Sequence, residues 1–450
     1  MLTCLRNIDT VVSCDANDTV YRHTDLWFDD NRIIKIGSLD RKADLEFDCR
    51  NMFVYPGLVN VHHHLYQYFT RNLKKVQNYE LFDWLKALYG IWKNLNDNTV
   101  YLSSVAAMSE LMRYGCTACF DHHYVFPNSS KDLIGRQFDA ADAIGIRMHA
   151  SRGSMDLSEK DGGLPPDSVV QTVDEILKDC ENVFHQYHDP SELSMHRIVF
   201  APCSPFSASA DLYRESAVLA RKLHVQLHTH LCETLDEETY TLSKFGMRPF
   251  SYMESLGWTG SDVFYAHGIH FNDSDLNRIA ETGTKIAHCP CSNMKLSSGI
   301  MRLPDMLDRK ITVGLAVDGS ASNDGSNLMD EMRSAYLLHR LRWGDRAPSG
   351  YEILKLATVG SAHVLGRTDI GSIEEGKAAD VFAIRSDRSD LLCAADDPTS
   401  IFGSIGYHKP CDLVFVNGKL TVREGNVLGI DEQKLLHDSR AELKRFLSDL

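Results

Sequence analysis

Residues 56–64 read Pro56-Gly57-Leu58-Val59-Asn60-Val61-His62-His63-His64. An apolar run here ends in imidazoles two positions apart. On a β-strand, side chains at i and i+2 point to one face. His62 and His64 therefore share a face, and His63 takes the other. Two convergent imidazoles at a strand end suit one metal ion, and a strand that ends this way suggests the mouth of a barrel.

The flanking sequence continues that pattern. Strand candidates recur at Leu58–His64, Ala118–His122, Ile146–Ser151, Ile198–Cys203, Val225–His230, Val263–His267, Lys285–Cys289 and Thr312–Asp318. Between them lie amphipathic segments of helical length, 98–114, 210–223, 273–282 and 326–341. Strands that alternate with helices over roughly 310 residues predict a (β/α)8 TIM barrel, an α/β fold. The two ends differ from this middle. Val11-Val12-Ser13, Leu26-Trp27-Phe28 and Ile33–Ile36 read as short strands. Val381–Ile384 and Leu413–Val416 read likewise, the latter entering an Asn417-Gly418 hairpin turn. We expect residues 1–55 and 368–450 to form one small composite β-sandwich domain around a catalytic barrel of residues 56–367. Residues 432–449 have helical character.

Bulk properties narrow the function. The 450 residues are 43% hydrophobic and 24% charged, ordinary for a globular protein. A net charge of -15 argues against nucleic acid or an anionic membrane as a partner, because both recruit basic patches. Twelve cysteines are scattered without a disulfide framework, the start Met1-Leu2-Thr3-Cys4-Leu5-Arg6 is not a signal peptide, and no apolar run is long enough to span a membrane. A reducing cytoplasm is the expected compartment, and a homo-oligomer the expected state.

The chemistry-bearing residues fall at the C-terminal ends of the strand candidates, where barrel enzymes build their sites. These are His62 and His64, then His228-Thr229-His230-Leu231-Cys232-Glu233, then His267, then Asp318. Three imidazoles and a carboxylate suit Zn²⁺ or Fe²⁺. The motifs PGLVNVHHH, LHTHLCE, AHG, HCPCSNMKL and GLAVDGSASND, with GSIEEGKAADV in the terminal sheet, resemble the amidohydrolase superfamily. The likeness is to its aminohydrolase branch, which deaminates purines, pterins and triazines, and it covers nearly the whole chain. It implies His62, His64, His230 and Asp318 as metal ligands, with Glu233, His267 and Asp318 catalytic. His63 is then a spacer, and His228 matches a position that does not bind metal. A bound divalent ion lowers the pKa of its water to about 7. Asp318 would take the proton from that water, His267 would hydrogen-bond the developing oxygen, and Glu233 would protonate a ring nitrogen and the leaving amine. Strand four ends Phe200-Ala201-Pro202-Cys203, without the bridging lysine of two-metal members, so one metal is expected. Zinc is the first choice and Fe²⁺ the second.

Segments 65–71, 80–85, 120–124 and 151–155 resemble the branch members that act on 8-oxoguanine, which implies hydrolysis of 8-oxoguanine to urate and ammonia. Isoxanthopterin, guanine and aminotriazines are the alternative substrates. For substrate contact we single out Gln67, which offers a donor and an acceptor, Trp84 as a stacking platform in a lid segment, and Arg152 as a donor to an exocyclic oxygen. Trp84 could equally be lid core, and Arg152 could equally pair with an acid. His288 and His122 read as hydrogen-bonded buried histidines, and Cys289 and Cys291 as packing residues. A metabolite-binding barrel without catalysis would be expected to lose Glu233 or Asp318, and both are present.

Overall fold

The computed structural model describes residues 1–127 and 130–448. Eight parallel strands run in sequence order around the barrel: Leu58–Asn60, Cys116–Asp121, Arg147–Ser154, His196–Pro202, Gln226–Leu231, Val263–His267, Lys285–His288 and Val313–Leu315. Each matches one of the eight strand candidates. Their side chains are almost uniformly buried, as expected for strands covered on both faces. Helices Asp97–Arg113, Ala210–Leu223, Asp273–Thr282 and Leu328–Trp343 occupy the four amphipathic segments. Local chemistry starts them: the side chains of Asn96, Ser209, Asn272 and Asn327 accept first-turn amides.

The barrel closes where the first and eighth strands meet, and this seam carries the opening histidines. Val61 N donates to Leu315 O at 3.4 Å, and Asp318 N donates to His62 O at 3.0 Å. Beyond it a short parallel pair sets Asp318 opposite His63 and Gly319 opposite His64. The backbone pairing that shuts the barrel therefore also brings residues 62–64 and 318 together, although over 250 residues separate them in sequence.

Strands from both termini form one nine-stranded sheet. Its centre pairs Val381–Arg385 antiparallel with Met52–Pro56, joining the two ends of the chain. The first strand is longer than its apolar core Val11-Val12 suggests and runs Leu2–Val12. Polar Arg6 and Asn7 mask its period, and the register shifts there, with Asn7 at φ 56°. At the Asn417-Gly418 turn both residues have positive φ, 50° and 77°, which the tight hairpin requires. A Cβ on Gly418 would lie 1.8 Å from Asp30 O, so only glycine fits. The buried Arg147 guanidinium ties barrel to sheet, bonding Asp380 at 3.1–3.2 Å and the carbonyls of Leu193 and Ser194 at 2.6 Å. The C-terminal helix Glu432–Phe446 lies against Asp97–Arg113, where Glu442 accepts from Asn98 and Thr99.

Candidate metal centre and cavity

Three imidazoles converge at the barrel mouth, each oriented from behind. His64 Nδ1 lies 2.7 Å from His122 O, and His230 Nδ1 lies 2.7 Å from Cys203 O. A carbonyl oxygen can only accept, so both Nδ1 atoms carry the proton and both Nε2 atoms present a lone pair. His62 reaches the same state through a relay. His228 Nδ1 donates to Phe264 O at 2.9 Å, which leaves His228 Nε2 as an acceptor for His62 Nδ1 at 2.9 Å. Burial favours the neutral rings, pushing His62 down to about 3 and His228 and His230 well below the usual histidine range.

The three lone pairs face each other and a carboxylate. His64 Nε2 and His230 Nε2 are 3.2 Å apart, with no proton available to lie between them. Asp318 Oδ1 is 3.2 Å from both His62 Nε2 and His64 Nε2. His62 Nε2, fully buried, has no hydrogen-bond partner. Converging lone pairs of this kind repel unless a cation sits among them, so the donor set fits a divalent metal ion. Asp318 draws positive charge to the same point: burial alone would lower the His64 pKa, yet the facing carboxylate raises it. Two overlapping groups keep their ligand atoms within 4.8 Å of one another: His62, His64, His122 and His230, and His62, His230, His267 and Asp318.

Asp318 and Glu233 sit in contrasting surroundings. Burial pushes the Asp318 pKa up, but the facing His62 and His64 imidazoles outweigh it and hold the group well below the carboxylate range. Ser292 and Ser322 donate to its Oδ2, at 2.6 and 3.1 Å. Burial raises the Glu233 pKa. Glu233 Oε2 faces His267 Nε2 at 3.4 Å, and Ser298 donates to Oε1 at 3.3 Å. The result is one carboxylate held ionised beside one biased toward its protonated form, the arrangement acid–base chemistry needs. His267 Nδ1 donates to Asn293 Oδ1 at 2.9 Å. Cys232, His267 and Asp318 have positive φ of 53°, 72° and 61°. Non-glycine residues in that region cost about 1–3 kcal/mol each and collect where a site dictates the backbone.

A cavity opens onto this cluster. Its walls include Gln67, Trp84, Tyr124, Cys203, Phe206 and Leu296, beside Glu233 and Asp318. Helix Leu81–Trp92 covers it with Leu81, Trp84 and Leu85, one face at helical spacing. The structure thus brings together eight of the nine residues singled out from sequence: His62, His64, His230, Asp318, Glu233, His267, Gln67 and Trp84. Trp84 packs edge-on against Trp92 at 5.5 Å and keeps an unpartnered indole N–H, so it offers a donor as well as a ring.

Arg152 is not in the cavity wall. It bonds Asp179 at 2.5 Å, Gln171 at 2.7 Å and the Gly153 carbonyl, and lies over the Phe126 ring at 3.8 Å. The expected substrate contact is therefore corrected: the guanidinium is committed to structural partners. His63 turns to Ser326, and His288 pairs with His339 at 3.0 Å, apart from the cavity. His122 donates to Ala201 O and stacks on His230 at 4.8 Å. Sequence reading missed Ser292 and Asn293, although both stand in the quoted HCPCSNMKL motif; their partners come from other strands.

Comparison with known proteins covers the whole barrel. The amidohydrolase family pattern matches residues 53–421. The chain is 42% identical over 428 residues to 8-oxoguanine deaminase of Pseudomonas aeruginosa, covering 92% of both chains. It is 37% identical to hydroxydechloroatrazine ethylaminohydrolase of a Pseudomonas species, covering 97% of this chain and 94% of that one. Among solved structures, atrazine chlorohydrolase from Arthrobacter aurescens complexed with zinc superposes with a TM-score of 0.94 at 31% identity, covering 98% of this chain and 100% of that one.

Proposed function

The chain belongs to the amidohydrolase family, and from that premise we propose that it hydrolyses 8-oxoguanine to urate and ammonia. Water adds at the ring carbon that bears the amino group, the C–N bond breaks, and ammonia leaves. The observation that carries the reading is the convergence of three imidazole lone pairs and Asp318 beside Glu233 at one cavity.

His62, His64, His230 and Asp318 would hold one divalent ion, zinc first and Fe²⁺ second; when bound, it supplies the charge that ionises water near neutral pH. A single ion is supported by Cys203 at the end of strand four, where no lysine stands. Asp318, kept anionic, takes a proton from the attacking water. His267, fixed by Asn293 through Nδ1–H, turns its Nε2 lone pair to the site and accepts a hydrogen bond from the attacking water. Glu233, biased toward its protonated form, gives its proton to the ring nitrogen and then carries one to the departing amine. Gln67 and Trp84 offer amide and indole groups to the heterocycle's polar edge, while Leu81, Leu85 and Phe206 cover its faces. The apolar walls and the few polar groups among them suit a flat heterocyclic base.

On this reading residues 56–367 are the catalytic unit, and 1–55 with 368–450 support it. Twelve free thiols support a reducing cytoplasm. Exposed Leu337 and Leu341, one helical turn apart, support assembly of like chains.

An ammonia-release panel of 8-oxoguanine, guanine, isoxanthopterin and an aminotriazine tests the substrate. Turnover of 8-oxoguanine is expected to lead; turnover of isoxanthopterin without it would reassign the substrate. Elemental analysis should find one ion per chain, and two would overturn the single-ion reading.

A further inference from the structure

Helix Leu235–Phe245 begins two residues after Glu233, and its first turn is acidic: Asp236, Glu237 and Glu238. Acidic residues are common there, since they complement the helix dipole. Glu237 differs from its neighbours because its side chain is buried, at 1% exposure. Among the described residues it forms no ion pair. Its two oxygens turn back toward the preceding loop: Cys232 N donates to Oε1 and Glu233 N donates to Oε2, each at 3.0 Å.

The clamped loop is the strained one. Cys232 has φ 53°, a conformation unfavourable for a residue with a Cβ. Its carbonyl accepts from Ile269 N and His270 N at 2.9 and 3.0 Å, so the same peptide unit also anchors the turn after His267. A carboxylate buried without a counter-ion is costly, and here both of its oxygens serve two consecutive amides.

We propose that Glu237 is a positioning residue for catalysis, holding the Cys232–Glu233 backbone so that the Glu233 carboxyl faces His267 and the cavity. This rests on the reading of Glu233 as the proton carrier. An ordinary helix-capping role predicts lower stability with turnover of the folded protein intact, whereas positioning predicts that the folded, metal-loaded protein loses turnover.

Glu237→Gln separates the two, because an amide keeps one acceptor and sets an NH₂ group against the second backbone N–H. Relative to wild type, kcat should fall about 10- to 100-fold, as a misplacement near 1 Å can cost about 100-fold. KM and bound metal should stay near wild type, and the melting temperature should fall by only a few degrees, so turnover is compared where both proteins are fully folded. Hydrogen exchange of the peptide spanning 231–234 should quicken, with barrel-strand peptides unchanged. An unchanged kcat, or a loss that only tracks metal content or melting temperature, overturns the proposal. So does unchanged exchange in that peptide, a readout that remains decisive if wild type turns over none of the panel and the substrate assignment fails separately. Should Glu237→Gln fail to fold, Glu237→Asp carries the same expectations, since its shorter carboxylate cannot span both amides.

Discussion

Replacing His228 with leucine tests the orientation of the metal-facing imidazoles without touching a group that faces the ion. His228 holds the proton on His62 Nδ1 through two 2.9 Å bonds, one to His62 and one to the Phe264 carbonyl. Phe264 and Phe120 pack on its ring at 4.2 and 4.8 Å, so an apolar side chain of similar size fits the space. Leucine removes the acceptor, leaving a buried N–H unpaired at a cost of about 1–3 kcal/mol. It also frees His62 to move its proton to Nε2, the atom facing Asp318. Loss of such a supporting bond weakens metal affinity about 10- to 100-fold, or about 1.4–2.8 kcal/mol. Zinc affinity measured by competition with a chromophoric chelator should show this drop, and His228→Gln, whose amide oxygen accepts the same N–H, should recover much of it. Zinc affinity within about twofold of wild type for His228→Leu would refute the relay.

Three further outcomes follow from the geometry. Glu233→Gln should keep its metal and fold yet lose about 10²- to 10⁴-fold in kcat, the usual worth of a general acid–base group; an unaffected rate would remove Glu233 from the mechanism. Gly319→Ala is allowed by its backbone, φ -67° and ψ 140°, but the new Cβ would lie 1.9 Å from Gln67 Oε1. The displaced amide should raise KM about tenfold, the worth of roughly one hydrogen bond, with melting temperature held; an unchanged KM would take Gln67 out of substrate binding. Burial pushes the Glu331 carboxyl, which accepts from Cys291 N, up to about 8 from 4.5. The folded state then binds a proton that the unfolded state has released, so this contribution is full below pH 4.5 and is lost as pH rises to about 8. Unfolding free energies from denaturant titrations should fall across that range by up to about 1.4 kcal/mol per pH unit, and Glu331→Gln should flatten the slope; a parallel slope in the variant would contradict it.

The barrel was legible in the sequence because strand and helix periods are local. Eight apolar runs with helices between them need no knowledge of distant contacts, and all eight strands and four helices formed within a few residues of their expected places. The first strand of the chain was underestimated where Arg6 and Asn7 interrupt the apolar period. Much of the site was equally legible, since His62, His64, His230, Glu233, His267 and Asp318 stand at strand ends within recognisable motifs, and residues at strand ends of a barrel share one face.

Tertiary structure alone decided how those groups are oriented and which neighbours serve them. Arg152 stands near the end of a strand like the others, but Asp179, Gln171 and the Phe126 ring hold it away from the cavity. Trp84 packs edge-on against Trp92 of the same helix and keeps its indole N–H unpartnered at the cavity wall. Asn293 and Ser292 act through single hydrogen bonds to residues distant in sequence, His228 through two, and Glu237 through two amides of the loop before its helix. Residue type and spacing state what chemistry a chain carries. A hydrogen bond depends on distances of about 3 Å and on direction, and those exist only once strands hundreds of residues apart close the barrel at His62 and Asp318.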